Sequence, residues 1–269
     1  MKHSVYFMLL SIFLFSSCIE EVDIKVDSTY ERVVIEGYLT NEYKTHQVKI
    51  SKSADYFSNK PAEPISGATV TINDGTLSFP LNETLPGIYE TDSMSGVPGK
   101  TYTLNIDVNE NSYTASDYMH FCPPIDSIGF KRFKWDTNYI AIQIYAQEPA
   151  EETNFYAWRA YKNDTLVTDT LREMFFSDDI LINGSYIRGI EVQYIEADIG
   201  DLVTLEMFSI TQPYYEYLTK IMLETDWDGG PFDGPPANFY GNISHEALGY
   251  FATYSVEQKT AVILEPIEE

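Results

Sequence analysis

The feature that most restricts the fold is a series of short segments in which apolar and polar residues alternate. In TYTLNIDV (101–108), every second residue is apolar. A period of two places one set of side chains on a core and the other in water, as in a β-strand. GATVTINDG (67–75) has the same period, and its Asp74 and Gly75 are a strong hairpin signal before LSFPL (77–81). These segments indicate antiparallel β-structure.

Seven such segments lie between residues 32 and 121, and they predict an N-terminal β-sandwich of immunoglobulin-like or transthyretin-like type. They are VVIEGYLT (33–40), HQVKIS (46–51), GATVTINDG (67–75), LSFPL (77–81), GIYETD (87–92), TYTLNIDV (101–108) and SYTASDYM (112–119). Paired prolines in CPPIDSI (122–128) favour a stiff, extended connection. We therefore predict that this first domain ends at residue 121.

A second β-rich domain with one α-helix is predicted for residues 122–269. Its strands are expected at 139–146, 154–162, 164–169, 188–196 and 201–210, with a final strand pair at 247–256 and 260–265. In QPYYEYLTKIMLET (212–225), apolar residues recur three and four positions apart, which predicts a helix with one apolar face. We expect this face to pack on the second sheet. The predicted fold class is therefore mainly β.

The amino terminus has the layout of a secretory signal. Lys2 and His3 precede a nearly continuous apolar run over residues 5–15, which is shorter than the roughly 20 residues that cross a bilayer. Small residues directly before Cys18 match a bacterial lipobox. This pattern predicts that residues 1–17 are removed as a lipoprotein signal peptide and that Cys18 carries the lipid anchor. The alternative is an ordinary signal peptide that is cut elsewhere.

An acidic tether is predicted over residues 18–31. Its Glu20, Glu21 and Asp23 resemble the export signal that sends lipoproteins of Bacteroidota to the outer face of the outer membrane. A solvated linker would also carry such charges. With the lipid anchor, this stretch predicts a protein that is held in the outer membrane and faces the cell exterior.

The charge of the chain restricts its partners. The sequence has 17 basic and 41 acidic residues, a net charge of -24. Removing residues 1–17 takes away one lysine and no acidic residue, which leaves 16 basic and 41 acidic residues and a net charge of -25. Such a field repels phosphate backbones, so no nucleic-acid partner is expected. With Cys18 acylated, Cys122 is the remaining thiol, and no intramolecular disulfide can form.

The sequence lacks the motifs of common catalytic and cofactor sites. His46, His120 and His245 belong to no HExxH pair, and GxSxG, SxxK and the glycine-rich nucleotide loops are absent. We therefore predict no catalytic residue, no cofactor and no metal site. One alternative stays open, because a glycosidase needs only two suitably spaced carboxylates and the sequence cannot select or exclude such a pair.

Several stretches in order resemble one family. They are the lipobox followed by VVIEGYLT, PISGATVTINDG, GIYETD, VPGKTYTLNI and PPANFYGNIS…ALGYFATYS. This arrangement is similar to the uncharacterised Bacteroidota lipoproteins called domain of unknown function 4249. The resemblance implies an outer-membrane lipoprotein that is often encoded near TonB-dependent transporters. It supplies no catalytic residues.

The leading functional hypothesis is a non-enzymatic accessory or ligand-binding subunit beside a TonB-dependent β-barrel transporter. Two alternatives belong to other classes of protein. The first is a surface hydrolase that cleaves glycan or peptide with acidic residues. The second is a structural or adhesive protein of the envelope.

Overall fold

The computed structural model describes residues 31–54, 61–133, 138–150, 152–225, 239–264 and 267–268. The strands of this part are β1 (Val33–Thr40), β2 (Gln47–Lys52), β3 (Thr69–Asn73), β4 (Ser78–Leu85), β5 (Ile88–Thr91), β6 (Thr101–Val108), β7 (Asn111–Tyr118), β8 (Ile125–Arg132), β9 (Tyr139–Gln147), β10 (Phe155–Lys162), β11 (Thr165–Leu166), β12 (Phe175–Asp178), β13 (Tyr186–Glu196), β14 (Leu202–Ile210), β15 (Leu248–Val262) and β16 (Ile267–Glu268). Its helix is α1 (Gln212–Thr225). The predicted mainly β fold with a helix at 212–225 is confirmed.

The larger of two sheets has the strand order β11-β10-β14-β15-β1-β2-β5-β4-β3-β6-β7, with β12 beside β10. The predicted hairpin is present, since β3 and β4 pair antiparallel. In its turn, Asp74 Oδ1 accepts hydrogen bonds from the amides of Thr76 and Leu77 at 2.9 and 2.7 Å. The apolar residues of β6 are all buried, as their alternation predicts. Strands β1 to β7 and the first part of β15 surround one apolar core.

Strand β15 joins the two halves of the larger sheet. Its residues 248–254 run parallel to β1, and its residues 255–262 run antiparallel to β14. The strand pair predicted at 247–256 and 260–265 is therefore wrong. The polar run at 257–259 resembles a turn in sequence, but it alternates between half-buried and exposed positions within one continuous strand.

The second half of the described chain is a sandwich with a helix on its outside. The smaller sheet, in the order β13-β9-β8-β16, shares a core around Trp158 with β10 and β14. On the opposite face of β10 and β14, the α1 residues Tyr214, Tyr215 and Leu218 pack against a cluster that contains Phe208. The predicted packing of α1 on the second β-region is confirmed. Within the described residues, no helix is both long and apolar enough to span a bilayer.

Some predicted boundaries in this half need correction. The sequence predicts a connection at residues 122–128, but β8 begins at Ile125 and pairs antiparallel with β9. Only the part that contains the two prolines precedes the strand. The strand predicted at 164–169 is reduced to Thr165–Leu166, and β12 and β16 carry no clear periodic signal because they are so short. Glu31–Glu269 forms one compact unit, and the domain boundary at residue 122 stays a prediction.

Candidate functional site

A cleft of about 430 Å³ lies where β7 ends and where β10 and α1 begin. Its lining includes Asp117, Tyr118, His120, Phe155, Thr211 and Gln212. Hydroxyl, amide and imidazole groups therefore face the same space as two aromatic rings. Such a combination can hold and orient a small polar ligand.

Asp117 is the buried acid of this cleft, and both of its oxygens are engaged. Oδ1 accepts a hydrogen bond from the Thr211 hydroxyl at 2.9 Å, and Oδ2 accepts one from the Thr253 amide at 2.7 Å. Burial raises the pKa of Asp117 to about 6, although these hydrogen bonds act in the opposite direction. The carboxyl group thus connects β7, β15 and the residue before α1.

Asp117 is one of several polar side chains that close the N-terminal part of the larger sheet. The Asn242 amide accepts from the Phe251 amide at 3.0 Å and donates to the Phe251 and Ser116 carbonyls at 2.8 and 3.2 Å. Asn242 therefore takes the place of a strand between β7 and β15. We call Asp117, Asn242 and the backbone groups that they bind the closing seam.

Two glycines allow the backbones at this seam to approach each other. A Cβ on Gly249 would lie 2.0 Å from the Ile35 carbonyl oxygen, and one on Gly241 would lie 1.9 Å from the Gly249 oxygen. Gly249 also has a φ of 95°, a backbone conformation that residues with a Cβ atom rarely adopt. The loop before β15 can contact the strand only because both positions are glycine.

His120 and Glu152 stand at the edge of the cleft. The His120 ring meets the Tyr118 ring edge-on, with centroids 4.8 Å apart, and its Nδ1 lies 3.6 Å from Glu152 Oε1. The His120 carbonyl accepts a hydrogen bond from the Ser255 hydroxyl. The imidazole is therefore held beside an aromatic ring and an acid at the edge of the cleft.

A second acidic group lies in the interior near the start of β10. Asn154 Nδ2 lies 3.2 Å from Glu148 Oε1 and 3.3 Å from Asp179 Oδ2, and the Tyr156 hydroxyl donates to Glu148 Oε1 at 2.8 Å. Glu148 and Asp179 are 2% and 0% exposed. Burial and the neighbouring Asp179 raise the pKa of Glu148 to about 7. Because both carboxyl groups are buried, a sugar cannot reach them, whereas a glycosidase needs its two carboxyl groups on either side of the bound sugar.

The predicted site residues have different outcomes. Cys18, Glu20, Glu21 and Asp23 lie outside the described residues, so the lipid anchor and the export signal stay predictions. Cys122 is buried, and burial raises the pKa of its thiol, which suits a packing role.

The histidines lie apart from one another in the described part of the chain. His46 is buried with its Nε2 3.0 Å from the Met94 carbonyl oxygen, and burial lowers its pKa. His245 lies in a turn with a φ of 57°. No group of three or more His, Cys, Asp or Glu side chains suited to a metal ion occurs among the described residues.

Sequence reasoning missed Asp117 and Glu148, although each has a weak signal. In β7, Ala115 and Asp117 occupy the core-facing positions, and in β9 the buried alternation continues past Ala146 to Glu148. An acid at an apolar position of a strand therefore marks a buried polar contact. The sequence gives no sign of its partners, which are distant along the chain.

Comparison with known proteins places the chain in a family without an assigned activity. The family model described as "Domain of unknown function (DUF4249)" matches residues 19–260, which include the cleft and the seam. No curated protein matches the sequence. A solved structure described as "Biofilm associated protein - BSP domain" aligns with 87% of this chain at 11% identity and a TM-score of 0.24. The chain spans 30% of the length of that structure.

Proposed function

The chain belongs to the DUF4249 family, and we propose that it is a non-enzymatic, lipid-anchored protein of the outer membrane that faces the cell exterior. In this proposal, it serves as an accessory or ligand-binding subunit of a TonB-dependent transporter. Cys18 carries the anchor, and Glu20, Glu21 and Asp23 direct export. The folded part after residue 31 supplies the binding surface.

The observation that carries the non-enzymatic part is the use of the buried acids. A general acid or base must reach a substrate proton. Both oxygens of Asp117 instead accept hydrogen bonds from Thr211 and Thr253, and the buried acid pair of Glu148 and Asp179 lies in the interior. This geometry favours a cleft that binds a ligand and does not favour a cleft that converts a substrate.

The test is purification of the tagged full chain from its native membranes in mild detergent. We expect a large β-barrel protein to co-purify with the wild type. The matched variant Cys18→Ser keeps the folded part unchanged but lacks the acylated thiol, so it should leave the membrane fraction. Recovery of the lipoprotein alone, under conditions that preserve known transporter complexes, would contradict the proposed partner.

The hydrolase alternative has a separate test. Incubation of the full chain with polysaccharides and peptides should release no product. Turnover that disappears in Asp117→Asn or Glu148→Gln would contradict the non-enzymatic proposal and identify the acid responsible. Both variants keep the shape of the side chain, and their melting temperatures show whether a loss of turnover follows from a loss of folding.

A further inference from the structure

The outer side of the smaller sheet forms a surface that shares no residue with the cleft. Along β9, the buried residues Ile140, Ile142 and Ile144 face the core, so the half-buried Gln143 and Tyr145 face the outer side of the sheet. Strand pairing places the outward residues of β8 and β13 beside them. We call this surface the tyrosine face and define it by Gly129, Gln143, Tyr145, Tyr186, Arg188 and Tyr194.

The backbone of the tyrosine face makes room for the Tyr145 ring. A Cβ on Gly129 of β8 would lie 3.3 Å from Tyr145 Cε2, and one on Gly189 of β13 would lie 3.1 Å from the Tyr145 hydroxyl oxygen. The same two Cβ atoms would lie 3.6 Å from Gln143 Oε1 and 3.7 Å from Gln143 Cδ. The Tyr145 ring therefore rests against the backbones of both neighbouring strands. Glycine inside a strand weakens it and often marks a place where a ligand approaches closely.

Strand β13 is also irregular beside this ring. Its pairing with β9 shifts register between Arg188 and Ile190 and again between Glu191 and Gln193, and Gly189 has a φ of 79°. Bulges of this kind redirect side chains next to binding and active sites. They also disfavour the addition of a partner strand at the β13 edge, because an added strand needs a regular row of backbone groups.

Hydrogen bonds hold the other rings of the tyrosine face in place. The Tyr186 hydroxyl donates to Asp126 Oδ2 at 2.9 Å, and the Arg188 guanidinium lies 5.0 Å from the Tyr186 ring centroid. The Tyr194 hydroxyl donates to Glu191 Oε2 at 3.2 Å. Tyr186 and Tyr194 are still 40% and 42% exposed. Their rings are thus accessible but already oriented, which reduces the entropic cost of binding.

The charged side chains in and beside the tyrosine face include two basic and two acidic groups. Lys131 forms an ion pair with Glu191 at 3.1 Å, and Arg188 and Asp126 both interact with Tyr186. These four side chains sum to no net charge, whereas the whole chain carries -24. The face therefore suits a neutral ligand better than a polyanion or a basic protein.

The size of the face distinguishes a sugar chain from a protein. Three strands about 4.8 Å apart, over a length of about seven residues at 3.4 Å each, cover roughly 350 Å². A stable protein interface buries about 800 Å² on each partner. We propose that the tyrosine face binds a neutral polysaccharide, with sugar C–H groups on the rings and sugar hydroxyls on Gln143 and the adjoining polar groups. This inference goes beyond the cleft and the transporter, and it does not depend on either.

The test is native electrophoresis of the detergent-solubilised full chain through gels that contain starch, xylan, galactomannan or a β-glucan. We expect at least one of these neutral polymers to retard the wild type. Tyr145→Ala should weaken the affinity at least tenfold. Gly129→Ala should weaken it about threefold to tenfold, because its new Cβ shifts the Tyr145 ring while every tyrosine is kept. Tyr43→Ala is the matched control, since Tyr43 is 78% exposed elsewhere and its loss should change nothing.

Several results would overturn the proposal. One is that none of the four polymers retards the wild type. Another is that Tyr145→Ala and the wild type are retarded equally while they have the same melting temperature. A third is that Tyr43→Ala weakens binding as much as Tyr145→Ala does. Retardation by polygalacturonate alone would also overturn it, because the ligand would then be an anion. A partner protein that is released by Tyr145→Ala, without polysaccharide binding, would assign the face to a protein instead. None of these variants should affect co-purification of a transporter, so the two proposals fail separately.

Discussion

The two halves of the fold are closed in different ways. The C-terminal sandwich is closed by apolar packing around Trp158, between the smaller sheet and β10 and β14. The N-terminal half also has an apolar core, but at β7 and β15 its backbone groups are joined through the side chains of Asp117 and Asn242. A packed core tolerates exchange of one apolar residue for another of similar volume, whereas a seam of single polar contacts does not.

The same device appears where β15 leaves β1. The Asn41 side chain accepts from the Val256 amide at 2.8 Å and donates to the Val256 carbonyl at 3.4 Å. Asn41 follows the end of β1 directly and extends its pairing by one residue. The backbone groups of Val256 are therefore paired where β15 passes from β1 to β14. At these points, side chains form the hydrogen bonds to the backbone that a neighbouring strand forms elsewhere in the sheet.

The largest effect should come from Gly249→Ala at the closing seam. The new methyl group would overlap the Ile35 carbonyl oxygen, and the φ of 95° adds backbone strain, so we expect a loss of at least about 4 kcal/mol in the free energy of unfolding. Gly75→Ala is the matched control. Its φ is 88°, but nothing lies within 4 Å, so the loss should be about 1 kcal/mol. Urea denaturation measures both, and equal losses would show that strain, not close approach, governs the seam.

The second-largest loss of stability is expected for Asp117→Ala. This change leaves the Thr211 hydroxyl and the Thr253 amide without their acceptor in a buried place, and we expect a loss of about 3 kcal/mol. Asp107→Ala, at an exposed position on β6, should change stability by no more than about 0.5 kcal/mol. Urea denaturation at pH 7.5 compares them. A loss below about 1 kcal/mol for Asp117→Ala would mean that the seam does not depend on this carboxyl group.

The buried acid pair should make stability depend on pH. Glu148 keeps its proton up to about pH 7 in the folded chain but loses it near pH 4.5 when unfolded. The folded state therefore binds the extra proton between these values, so stability falls by roughly 2 to 3 kcal/mol as pH rises from 4.5 to 7. Asp117 also keeps its proton to a higher pH in the folded state than in the unfolded state, but only up to about pH 6.

The variant Glu148→Gln separates these two contributions. It cannot titrate, so the fall in stability between pH 6 and 7 should largely disappear, and the slope between pH 4.5 and 6 should decrease to the contribution of Asp117. Thermal unfolding at intervals of half a pH unit gives the profile. An unchanged slope between pH 6 and 7 would rule out Glu148 as its source.

The smallest effect should come from Asn242→Ala. This change removes the contacts to Phe251 and Ser116, but the position is partly exposed and water can replace some of them. We expect a loss of about 1 to 2 kcal/mol. Asn111→Ala is a control on an exposed position of β7, and it should have almost no effect. A loss larger than that of Asp117→Ala would reverse the order of importance within the seam.

The sequence predicts those elements in which apolar residues recur at a regular spacing. Alternation locates β1, β6 and β14 to within one residue, and the change of period locates α1. The sequence pattern gives the wrong element at β8, where the preceding prolines suggest a connection. It is also wrong at 257–259, where a polar run in a strand resembles a turn. Periodicity records which face of an element is buried, but it does not record which strand lies beside it.

The candidate site depends on contacts that leave no local pattern. Asp117 contacts Thr253, which is 136 residues away. The cleft forms only because β7, β10 and α1 meet, and the tyrosine face forms only because Gly129 and Gly189 on different strands lie on either side of Tyr145. These arrangements follow from strand order, which single-sequence patterns do not determine.

Amide hydrogen exchange at Thr253 is the most direct test of the claim that Asp117 closes the fold and is not a free acid. At pH 7, we predict that the Thr253 amide is as protected as the amides paired between β1 and β15, and that Asp117→Ala removes this protection without unfolding β6. Equally fast exchange of Thr253 in the wild type and in the variant would contradict the account. The Asp117 carboxylate would then be available for chemistry, and the hydrolase alternative would regain its support.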